Sequence, residues 1–383
     1  MQKPQERQRF PGFFFYESLR GFLRFYTSHG FLVNRHTIRY TEKQINIRFH
    51  VWMKGKSKVI SEGINMDVSG FVSYRDRFVE ACSQAIVGKK QEITLITVCY
   101  LCGGHILLED VPGTGKTMLF RAFARACGGS FKRIQFTPDV MPSDVTGIHF
   151  YNMKTGDFEF RPGPVFADMV LADEINRATP RTQSSLLEAM AERQVSVDGE
   201  TRLLSDTFMV AATQNPIESY GTFPLPEAQM DRFMMRLKLG YMQREEEIGV
   251  ALRGDTEDII EKIRPVVSPE ETRKLRESID RIEISDPVMG YLMDIIEKTR
   301  NDGRFTIGAS PRGTIALTKA ARIWAAFQNR TYVTPDDVKT LAPYVLAHRL
   351  YYRAAVESAF MDSVKAEALF TEMLNDIPVP TET

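Results

Sequence analysis

The sequence predicts an α/β fold in which a parallel sheet, flanked by helices, is followed by a smaller all-helical domain. Short apolar runs alternate with segments of helical periodicity between residues 105 and 239. A glycine-rich loop joins the first of these runs to a helix that begins with Lys116 and Thr117. Beyond Gly240 the apolar residues recur at helical spacing. Strands that alternate with helices run parallel, and helices then cover both faces of their sheet.

The first strand of the predicted sheet is a short apolar run, and four further short segments are predicted as strands. In chain order the five strands span residues 105–108, 131–136, 169–172, 207–212 and 233–239. Helical spacing over residues 70–103, broken at 86–88, predicts helices ahead of the first strand. The helix after the glycine-rich loop spans 116–127 and ends at Gly128 and Gly129, because glycine favours the conformation that closes a helix.

Two hairpins are predicted inside the α/β region. The first turns at residues 154–157, and the second turns at Asp198-Gly199, a strong signal for a two-residue hairpin loop. Their strands span residues 149–151, 158–160, 194–197 and 201–204. The predicted helices of the second domain span residues 244–251, 269–282, 288–300, 311–328 and 335–348. The chain is thus divided into an extension, an α/β domain, a helical domain and a C-terminal helical tail: 1–65, 66–239, 240–350 and 351–383.

The composition indicates an ordinary globular protein, since 43% of its 383 residues are hydrophobic and 26% are charged. No run of 18 uncharged apolar residues occurs, so no transmembrane helix is predicted. Four cysteines are too few for a disulfide framework at this length, which predicts reduced thiols in the cytoplasm. The formal net charge is zero, but residues 66–383 carry a surplus of eight acids, which disfavours nucleic acid as a partner.

Residues 1–65 differ in composition from the rest of the chain. They contain twelve Lys and Arg against four acids, and twelve aromatic residues without helical or strand periodicity. Acidic and basic residues interrupt the apolar stretch near residue 20, which argues against a signal peptide. The segment is interpreted as a basic nucleic-acid or membrane arm, a loosely folded or disordered extension, or sequence upstream of the true start codon. The sharp change in composition, with Met53 and Met66 just before the regular pattern, favours the last interpretation.

The glycine-rich loop has the composition and the position of a phosphate-binding loop. Its residues, followed by the first apolar residue of the helix, are Asp110, Val111, Pro112, Gly113, Thr114, Gly115, Lys116, Thr117 and Met118. Gly113 and Gly115 allow backbone N–H groups to approach the polyphosphate of ATP, and the helix N-terminus adds a favourable dipole. Lys116 is placed to reach the β- and γ-phosphates, and the Thr117 hydroxyl to bind Mg²⁺. Asp110 stands where the general pattern has its first glycine, while the phosphate-facing positions are intact.

Polar residues also end the later strands. Asp173 and Glu174 follow the third apolar run, and the carboxyl ends of parallel strands meet at the edge that holds the loop. We therefore expect Asp173 to hold Mg²⁺ through water and Glu174 to act as general base for the attacking water. Asn215, after the fourth strand, is expected to orient that water against the γ-phosphate. Arg232 and Arg312 are the candidate arginines of the site.

Together these motifs resemble the MoxR family of AAA+ ATPases, in the clade that carries a helix-2 insert. The segments that carry the resemblance lie between residues 68 and 350, at 107–117, 135–139, 142–144, 172–178, 186–190, 212–216 and 225–233. Asp110 in place of glycine is also similar to this family. Residues 1–65 have no counterpart in the family pattern, which supports the interpretation that they lie upstream of the true start.

The resemblance implies a role for each candidate residue. Lys116 and Thr117 resemble the Walker A pair, and Asp173 and Glu174 resemble the Walker B pair. Asn215 resembles sensor 1. Arg312 resembles sensor 2, carried on the helical lid domain and reaching back to the phosphates. Arg232 looks like the arginine finger, which acts on the nucleotide of the neighbouring subunit. Val87 and Gly88 match the segment beside the adenine, and the two hairpins match the helix-2 insert and the pre-sensor 1 hairpin.

The resemblance further implies a chaperone-like remodelling ATPase that binds ATP and Mg²⁺ and assembles into a homo-oligomeric ring, taken as a hexamer. Family members typically work with proteins that contain a von Willebrand factor A domain, while the sequence does not identify the client. Two alternatives stay open, namely a nucleic-acid motor of a related clade and a nucleotide-gated scaffold with little turnover. The hairpin tips, at residues 154–157 and 198–200, are not strongly basic, which argues against the motor.

Overall fold

A parallel sheet of five strands lies at the centre of the part of the chain that the computed structural model describes. The described residues are 68–109, 113–214, 221–252, 256–353 and 363–380, and they belong to a unit that spans residues 67–383. The predicted extension, residues 1–65, lies outside them, as do four of the predicted site residues: Asp110, Val111, Pro112 and Asn215. No described helix is long and apolar enough to cross a membrane.

The α/β region alternates helices and strands as the sequence predicts. In chain order its elements are α1 (Ser69–Ser83), α2 (Lys90–Leu101), β1 (Ile106–Glu109), α3 (Lys116–Cys127), β2 (Phe131–Gln135), α4 (Pro142–Thr146), β3 (Gly147–Asn152), β4 (Asp157–Pro162), β5 (Met169–Asp173), α5 (Pro180–Glu192), β6 (Gln194–Val197), β7 (Glu200–Leu203), β8 (Met209–Gln214), α6 (Glu227–Met230) and β9 (Met235–Leu237). The sheet has the order β2-β5-β8-β1-β9, and all its neighbouring strands are parallel. The central strands are apolar up to their polar carboxyl ends, because helices cover both faces of the sheet.

The carboxyl ends of the strands meet at one edge of the sheet and position polar residues there. Glu109, the last residue of β1, pairs in register with Gln214 of β8. Gln135, the last residue of β2, pairs with Asp173 of β5. The glycine-rich loop follows β1 at the same edge, and α3 begins directly after Gly115. The sheet therefore brings the ends of four strands around the start of α3.

Both predicted hairpins are present and contact each other. β3 pairs with β4, and β6 pairs with β7, each pair being antiparallel. His149 Nδ1 of the first hairpin lies 2.8 Å from an Asp198 carboxylate oxygen at the turn of the second. The guanidinium of Arg202 stacks 4.1 Å from the centre of the Phe160 ring. The tip of the first hairpin exposes apolar side chains, with Met153 91% exposed and Phe158 72% exposed.

The second region is mainly helical, and one expectation about it is corrected. Its elements are α7 (Arg244–Leu252), α8 (Thr256–Lys262), α9 (Pro269–Ser278), α10 (Asp286–Asn301), β10 (Phe305–Ile307), α11 (Pro311–Phe327), α12 (Pro335–Leu346), β11 (Tyr351–Tyr352) and α13 (Ser363–Asn375). The prediction of helices alone is wrong for β10 and β11, which form an antiparallel pair. Aromatic residues favour this pairing, since the rings of Phe305 and Tyr352 meet at 5.1 Å. The segment interpreted as a helical tail thus begins with a strand.

The fourth strand of the sheet begins two residues later than predicted, at Met209 rather than Thr207. The hydroxyls of Ser205 and Thr207 donate to the carboxylate of Asp168, at 2.6 and 3.1 Å, and hold the preceding residues in a turn. Side-chain hydrogen bonds of this kind offer the backbone an alternative to strand pairing. The strand also continues through the polar residues Thr213 and Gln214, which apolar periodicity did not include.

His105 is a buried imidazole that the packing keeps neutral. Its Nε2 donates to the Met190 carbonyl at 3.1 Å, and its Nδ1 accepts from the Val210 N–H at 2.9 Å. Burial, assisted by the charge of Arg193, lowers the pKa of His105 from 6.5 to about 3. The neutral ring satisfies both contacts, whereas a protonated ring would turn its Nδ1–H against the Val210 donor.

Acidification should therefore destabilise the α/β region. Below pH 6.5 the unfolded imidazole binds a proton, while the folded one stays neutral until about pH 3, so the contribution of His105 to stability is lost as pH falls. Between pH 7 and pH 5 the loss should be roughly 2 kcal/mol of unfolding free energy. Urea titrations at pH 7 and pH 5 measure the difference in unfolding free energy. In His105→Gln this difference should be smaller by the same roughly 2 kcal/mol. An unchanged difference in the variant would contradict the assignment.

Candidate active site

A cleft of about 250 Å³ opens at the carboxyl edge of the sheet. Its walls come from the glycine-rich loop, the start of α3 and the ends of β2, β5 and β8: Gly113, Thr114, Gly115, Lys116, Thr117, Met118, Arg133, Gln135, Asp173, Glu174, Thr213 and Gln214. The described residues of the predicted phosphate-binding loop and the two predicted acids of β5 therefore line one cavity. Asn215 follows directly after Gln214 but lies outside the described residues, so its position remains a prediction.

The glycines of the loop have the geometry that a phosphate site requires. Gly113 and Gly115 have φ values of 86° and 83°, in the left-handed region that favours glycine. A Cβ built on either residue would meet no atom within 4 Å, so open space faces the backbone. Lys116 and Thr117 are the first residues of α3 and place an ammonium and a hydroxyl beside the helix N-terminus. Backbone N–H groups and the helix dipole make this a suitable cradle for an anion.

Thr213 connects the two acids of β5, a role that the sequence analysis did not find. Its hydroxyl donates to Asp173 Oδ1 at 2.6 Å and accepts from the backbone N–H of Glu174 at 2.8 Å. Glu174 has a φ of 57°, which is uncommon for a residue other than glycine. Such backbone strain is concentrated at functional sites, where the surrounding contacts maintain it. Thr213 therefore holds the Asp173 carboxylate and the Glu174 backbone at the rim of the cleft.

Two residues of β2 also contact these carboxylates. The Arg133 guanidinium lies 2.6 and 3.1 Å from Asp173 Oδ2, through its Nη2 and Nε atoms. The Gln135 side-chain amide donates to Glu174 Oε2 at 2.9 Å, and Arg177 Nε lies 3.2 Å from the same oxygen. Alternate residues of a strand share one face, so the pair at positions 133 and 135 points to one site. Two polar residues two positions apart near the carboxyl end of a predicted strand are the sequence signal that could have identified Arg133 and Gln135.

The predicted adenine-side segment lies between α1 and α2 and contacts the start of the helical lid. Gly88 has a φ of 74°, and a Cβ on it would lie 2.1 Å from a carboxylate oxygen of Glu246 in α7. The buried ammonium of Lys89 donates to the carbonyls of Leu239 and Tyr241. Val87 and Gly88 are thus placed at the junction between the sheet and the lid, and they are not among the residues that line the phosphate cleft.

Arg232 lies at the opposite edge of the sheet from the cleft. It precedes β9, whose first residue, Met235, pairs with Ile106 at the start of β1, whereas the glycine-rich loop follows the other end of β1. A strand of four residues spans about 13 Å. The half-buried Arg232 guanidinium donates to the carbonyl of Leu187 in α5 at 2.5 Å. Arg232 therefore does not line the cleft of its own chain.

Arg312 is also positioned at this opposite edge. Ser310 caps α11 by accepting from the Arg312 backbone N–H at 3.1 Å, and its hydroxyl lies 3.0 Å from both carboxylate oxygens of Asp231. The start of the helix that carries Arg312 is therefore tied to the residue before Arg232. The expectation that Arg312 reaches back to the phosphates remains a prediction, because these contacts fix the start of its helix and not its guanidinium. The docking of the lid against the amino-terminal edge of the sheet is a feature that helical periodicity does not specify.

A buried arginine that sequence reasoning missed holds the lid at this edge. Arg349 donates to Asp231 Oδ1 at 2.6 Å and to the carbonyls of Asp231 and Phe233 at 2.9 and 2.7 Å. It is 7% exposed, and burial lowers its pKa while Asp231 opposes that shift. His348 Nε2 donates to the same Phe233 carbonyl at 2.9 Å. The segment that contains Arg232 is consequently clamped to the lid.

Arg349→Leu should destabilise the protein by about 3–5 kcal/mol, because Asp231 would stay largely buried without its cationic partner. Denaturant titration at pH 7 measures the change. The matched control is Arg322→Leu, which removes the same group from the exposed ion pair with Asp280 and should cost at most about 1 kcal/mol. Equal losses in the two variants would show that the buried pair does not hold the lid.

The chain matches known proteins over both of its described regions. Residues 105–235 match the ATPase family associated with various cellular activities (AAA), and residues 297–372 match the AAA lid domain. The crystal structure of a candidate ATPase from Cytophaga hutchinsonii is similar, with a TM-score of 0.72 and 34% identity over 82% of this chain and 98% of that one. The sheet, the lid and the cleft therefore define an AAA+ ATPase.

More specific relatives narrow the class. The chain is 47% identical to the uncharacterised protein YeaC of Bacillus subtilis, over 79% of this chain and 94% of the relative. It is 38% identical to the chaperone MoxR1 of Mycobacterium tuberculosis, over 80% and 82% of the two chains. It is 32% identical to the protein MoxR of Methylorubrum extorquens, over 73% and 88%. The chain belongs to the MoxR family of AAA+ ATPases.

The residues of the cleft fit a nucleotide with Mg²⁺. The open space beside the two loop glycines suits a polyphosphate, and the Thr117 hydroxyl and the Asp173 carboxylate are oxygen ligands of the kind that Mg²⁺ prefers. Among the described residues, no group of three His, Cys, Asp or Glu side chains could hold a metal ion. A Mg²⁺ ion in this cleft would accordingly complete its coordination with phosphate oxygens and water.

Proposed function

We propose that this protein is a Mg²⁺-dependent ATPase that works as a homo-oligomeric ring, taken as a hexamer, and uses ATP binding and hydrolysis to remodel partner proteins. The ring is supported mainly by the absence of Arg232 and Arg312 from the residues that line the cleft in their own chain. Arg232 precedes β9 at the opposite edge of the sheet, and the start of the helix that carries Arg312 is tied to the same place. In a head-to-tail ring, that edge faces the cleft of the next subunit, so each active site is completed by a neighbour.

The chain's own residues divide the work of hydrolysis. The N–H groups of residues 113–117 and the Lys116 ammonium bind the phosphates, while Thr117 and Asp173 hold Mg²⁺. When bound, Mg²⁺ neutralises charge that develops on the phosphate oxygens. Glu174 accepts a proton from the attacking water, and Asn215 orients that water. The neighbour's Arg232 and Arg312 stabilise the negative charge of the transition state, which makes turnover depend on assembly.

The hairpins support a protein as the remodelled partner. The tip of the first one displays exposed Met153 and Phe158, next to Tyr151, whose ring meets that of Phe158 at 5.4 Å. Apolar and aromatic side chains suit protein contacts, whereas a nucleic-acid motor needs a basic surface. One relative is named a chaperone. The proposal also includes a partner protein that contains a von Willebrand factor A domain. It further places this protein in the cytoplasm, where its four unpaired cysteines would stay reduced.

Steady-state ATPase assays over a range of protein concentrations, combined with sedimentation analysis, test this function. The rate per subunit should rise with the fraction of assembled protein, and double-stranded DNA should leave it unchanged. Stimulation by DNA would support the nucleic-acid motor instead. A negligible rate in fully assembled protein would support the nucleotide-gated scaffold, and a rate independent of assembly would contradict the shared site.

A further inference from the structure

Arg133 reaches from the edge strand β2 into the cleft and occupies the carboxylate that is assigned to Mg²⁺. Its guanidinium contacts Asp173 Oδ2 through two nitrogens, and its Nη2 also donates to the Gln135 side-chain oxygen at 2.6 Å. The Gln135 amide in turn donates to Glu174 Oε2. A continuous chain of hydrogen bonds therefore links the metal-binding acid to the general base through two residues of β2.

Both carboxylate oxygens of Asp173 accept hydrogen bonds in this arrangement. Oδ1 accepts from the Thr213 hydroxyl, and Oδ2 accepts from Arg133. Mg²⁺, or a water molecule in its coordination shell, needs one of these oxygens. Thr213 is 2% exposed and also binds the Glu174 backbone, so displacing it would break two contacts. The Arg133 side chain is 46% exposed and lies on an edge strand, so it can move into solvent at little cost.

We propose that Arg133 is a positioning residue that competes with Mg²⁺ for Asp173 and couples the arrival of the metal to the release of Glu174. While the guanidinium holds Oδ2, it also orients Gln135 so that the amide binds the general base. Displacement of Arg133 removes that orientation and frees Glu174 Oε2 from the Gln135 amide, while Arg177 Nε still contacts that oxygen. Glu174 is thus engaged by β2 until the metal site is filled. The proposal rests on the role in Mg²⁺ binding proposed above for Asp173.

A simpler interpretation is that Arg133 and Asp173 form an exposed ion pair that only neutralises charge at the edge of the sheet. Such a pair would leave the Mg²⁺ requirement of nucleotide binding unchanged when it is removed. Competition makes the opposite prediction, because the variant without Arg133 offers Mg²⁺ an unoccupied oxygen. It also predicts weaker binding of nucleotide without Mg²⁺, since the Asp173 charge would then face the phosphates without a counter-charge.

Equilibrium binding of a fluorescent, non-hydrolysable ATP analogue to the full chain, at buffered free Mg²⁺ concentrations, tests the proposal. Arg133→Ala should lower the Mg²⁺ concentration for half-maximal binding about three- to fivefold, and should weaken binding in EDTA. The control Lys132→Ala removes the same charge from the opposite face of β2 and should match the wild type. Binding in excess Mg²⁺ shows that each variant is folded.

An unchanged or increased Mg²⁺ requirement in Arg133→Ala would overturn the proposal. Asp173→Asn separates this outcome from a failure of the proposed metal site. If Asp173 is a Mg²⁺ ligand, that variant should lose most of the Mg²⁺ dependence of binding. If Asp173→Asn keeps the wild-type Mg²⁺ dependence of binding, the assignment of Asp173 to the metal is overturned. If Asp173→Asn loses that dependence while Arg133→Ala keeps the wild-type Mg²⁺ requirement, the role of Arg133 alone is overturned.

Discussion

Replacing Arg232 by alanine is expected to slow ATP hydrolysis by the assembled protein about 10³-fold or more, by analogy with the arginine fingers of GTPases. ATP binding should be retained, because Arg232 does not line the cleft of its own subunit. Within its own subunit the guanidinium contacts the Leu187 carbonyl, a partner that water can replace. The lost rate therefore reports on the neighbour's nucleotide and not on the fold.

The measurement pairs nucleotide binding with steady-state ATPase activity at a concentration where sedimentation shows full assembly. Arg181→Ala is the matched control, because Arg181 is exposed on α5, the helix whose carbonyl accepts from Arg232. The control should hydrolyse ATP at the wild-type rate. Normal turnover of assembled Arg232→Ala would refute the assignment, and loss of assembly would be visible in the same sedimentation profiles. Arg312→Ala should also bind ATP and turn it over slowly.

Glu174→Gln should retain ATP but hydrolyse it about 10²–10⁴-fold more slowly, because an amide cannot accept the proton of the attacking water. The substitution preserves side-chain shape, and the backbone contact with Thr213 at 2.8 Å does not involve the carboxylate. Single-turnover assays measure the chemical step apart from product release. Glu192→Gln, an exposed position at the end of α5, is the control for loss of one charge.

The same variant tests whether subunits act together. Rings that mix Glu174→Gln with wild-type subunits should be impaired beyond the fraction of inactive sites, since a subunit that retains ATP holds the interface of its neighbour in one state. Activity that falls in direct proportion to the variant fraction would indicate independent sites. A Glu174→Gln protein with wild-type turnover would contradict the assignment of the general base.

Local patterns were sufficient to predict much of the nucleotide site. The helix after the phosphate-binding loop has the predicted bounds, Lys116 to Cys127, because a helix N-terminus and a closing glycine are both local signals. Asp173 and Glu174 could be placed at the same edge as the loop because the ends of parallel strands converge. Both hairpins were predictable from their turns, as Asp198-Gly199 requires positive φ at both residues.

Contacts between distant parts of the chain were not predictable in this way. Arg133 and Asp173 are separated by 40 residues, and Arg349 and Asp231 by 118 residues. Each of these pairs depends on strand order or on lid docking, which periodicity does not encode. No sequence motif marks Arg349, and the burial of Arg349 follows from the packing of the lid on the sheet. The position of Arg312 could not be derived for the same reason.

A mixing experiment tests the shared active site most directly. Lys116→Ala should abolish phosphate binding in its own cleft but still supply Arg232 to a neighbour, while Arg232→Ala has an intact cleft and no finger. Each variant alone should be nearly inactive. An equal mixture, reassembled after dissociation, should recover up to about one quarter of the wild-type activity, because one interface in four joins an intact cleft to an intact finger and coupling between subunits can only lower that share. A mixture that stays as inactive as its components would contradict a site completed between subunits.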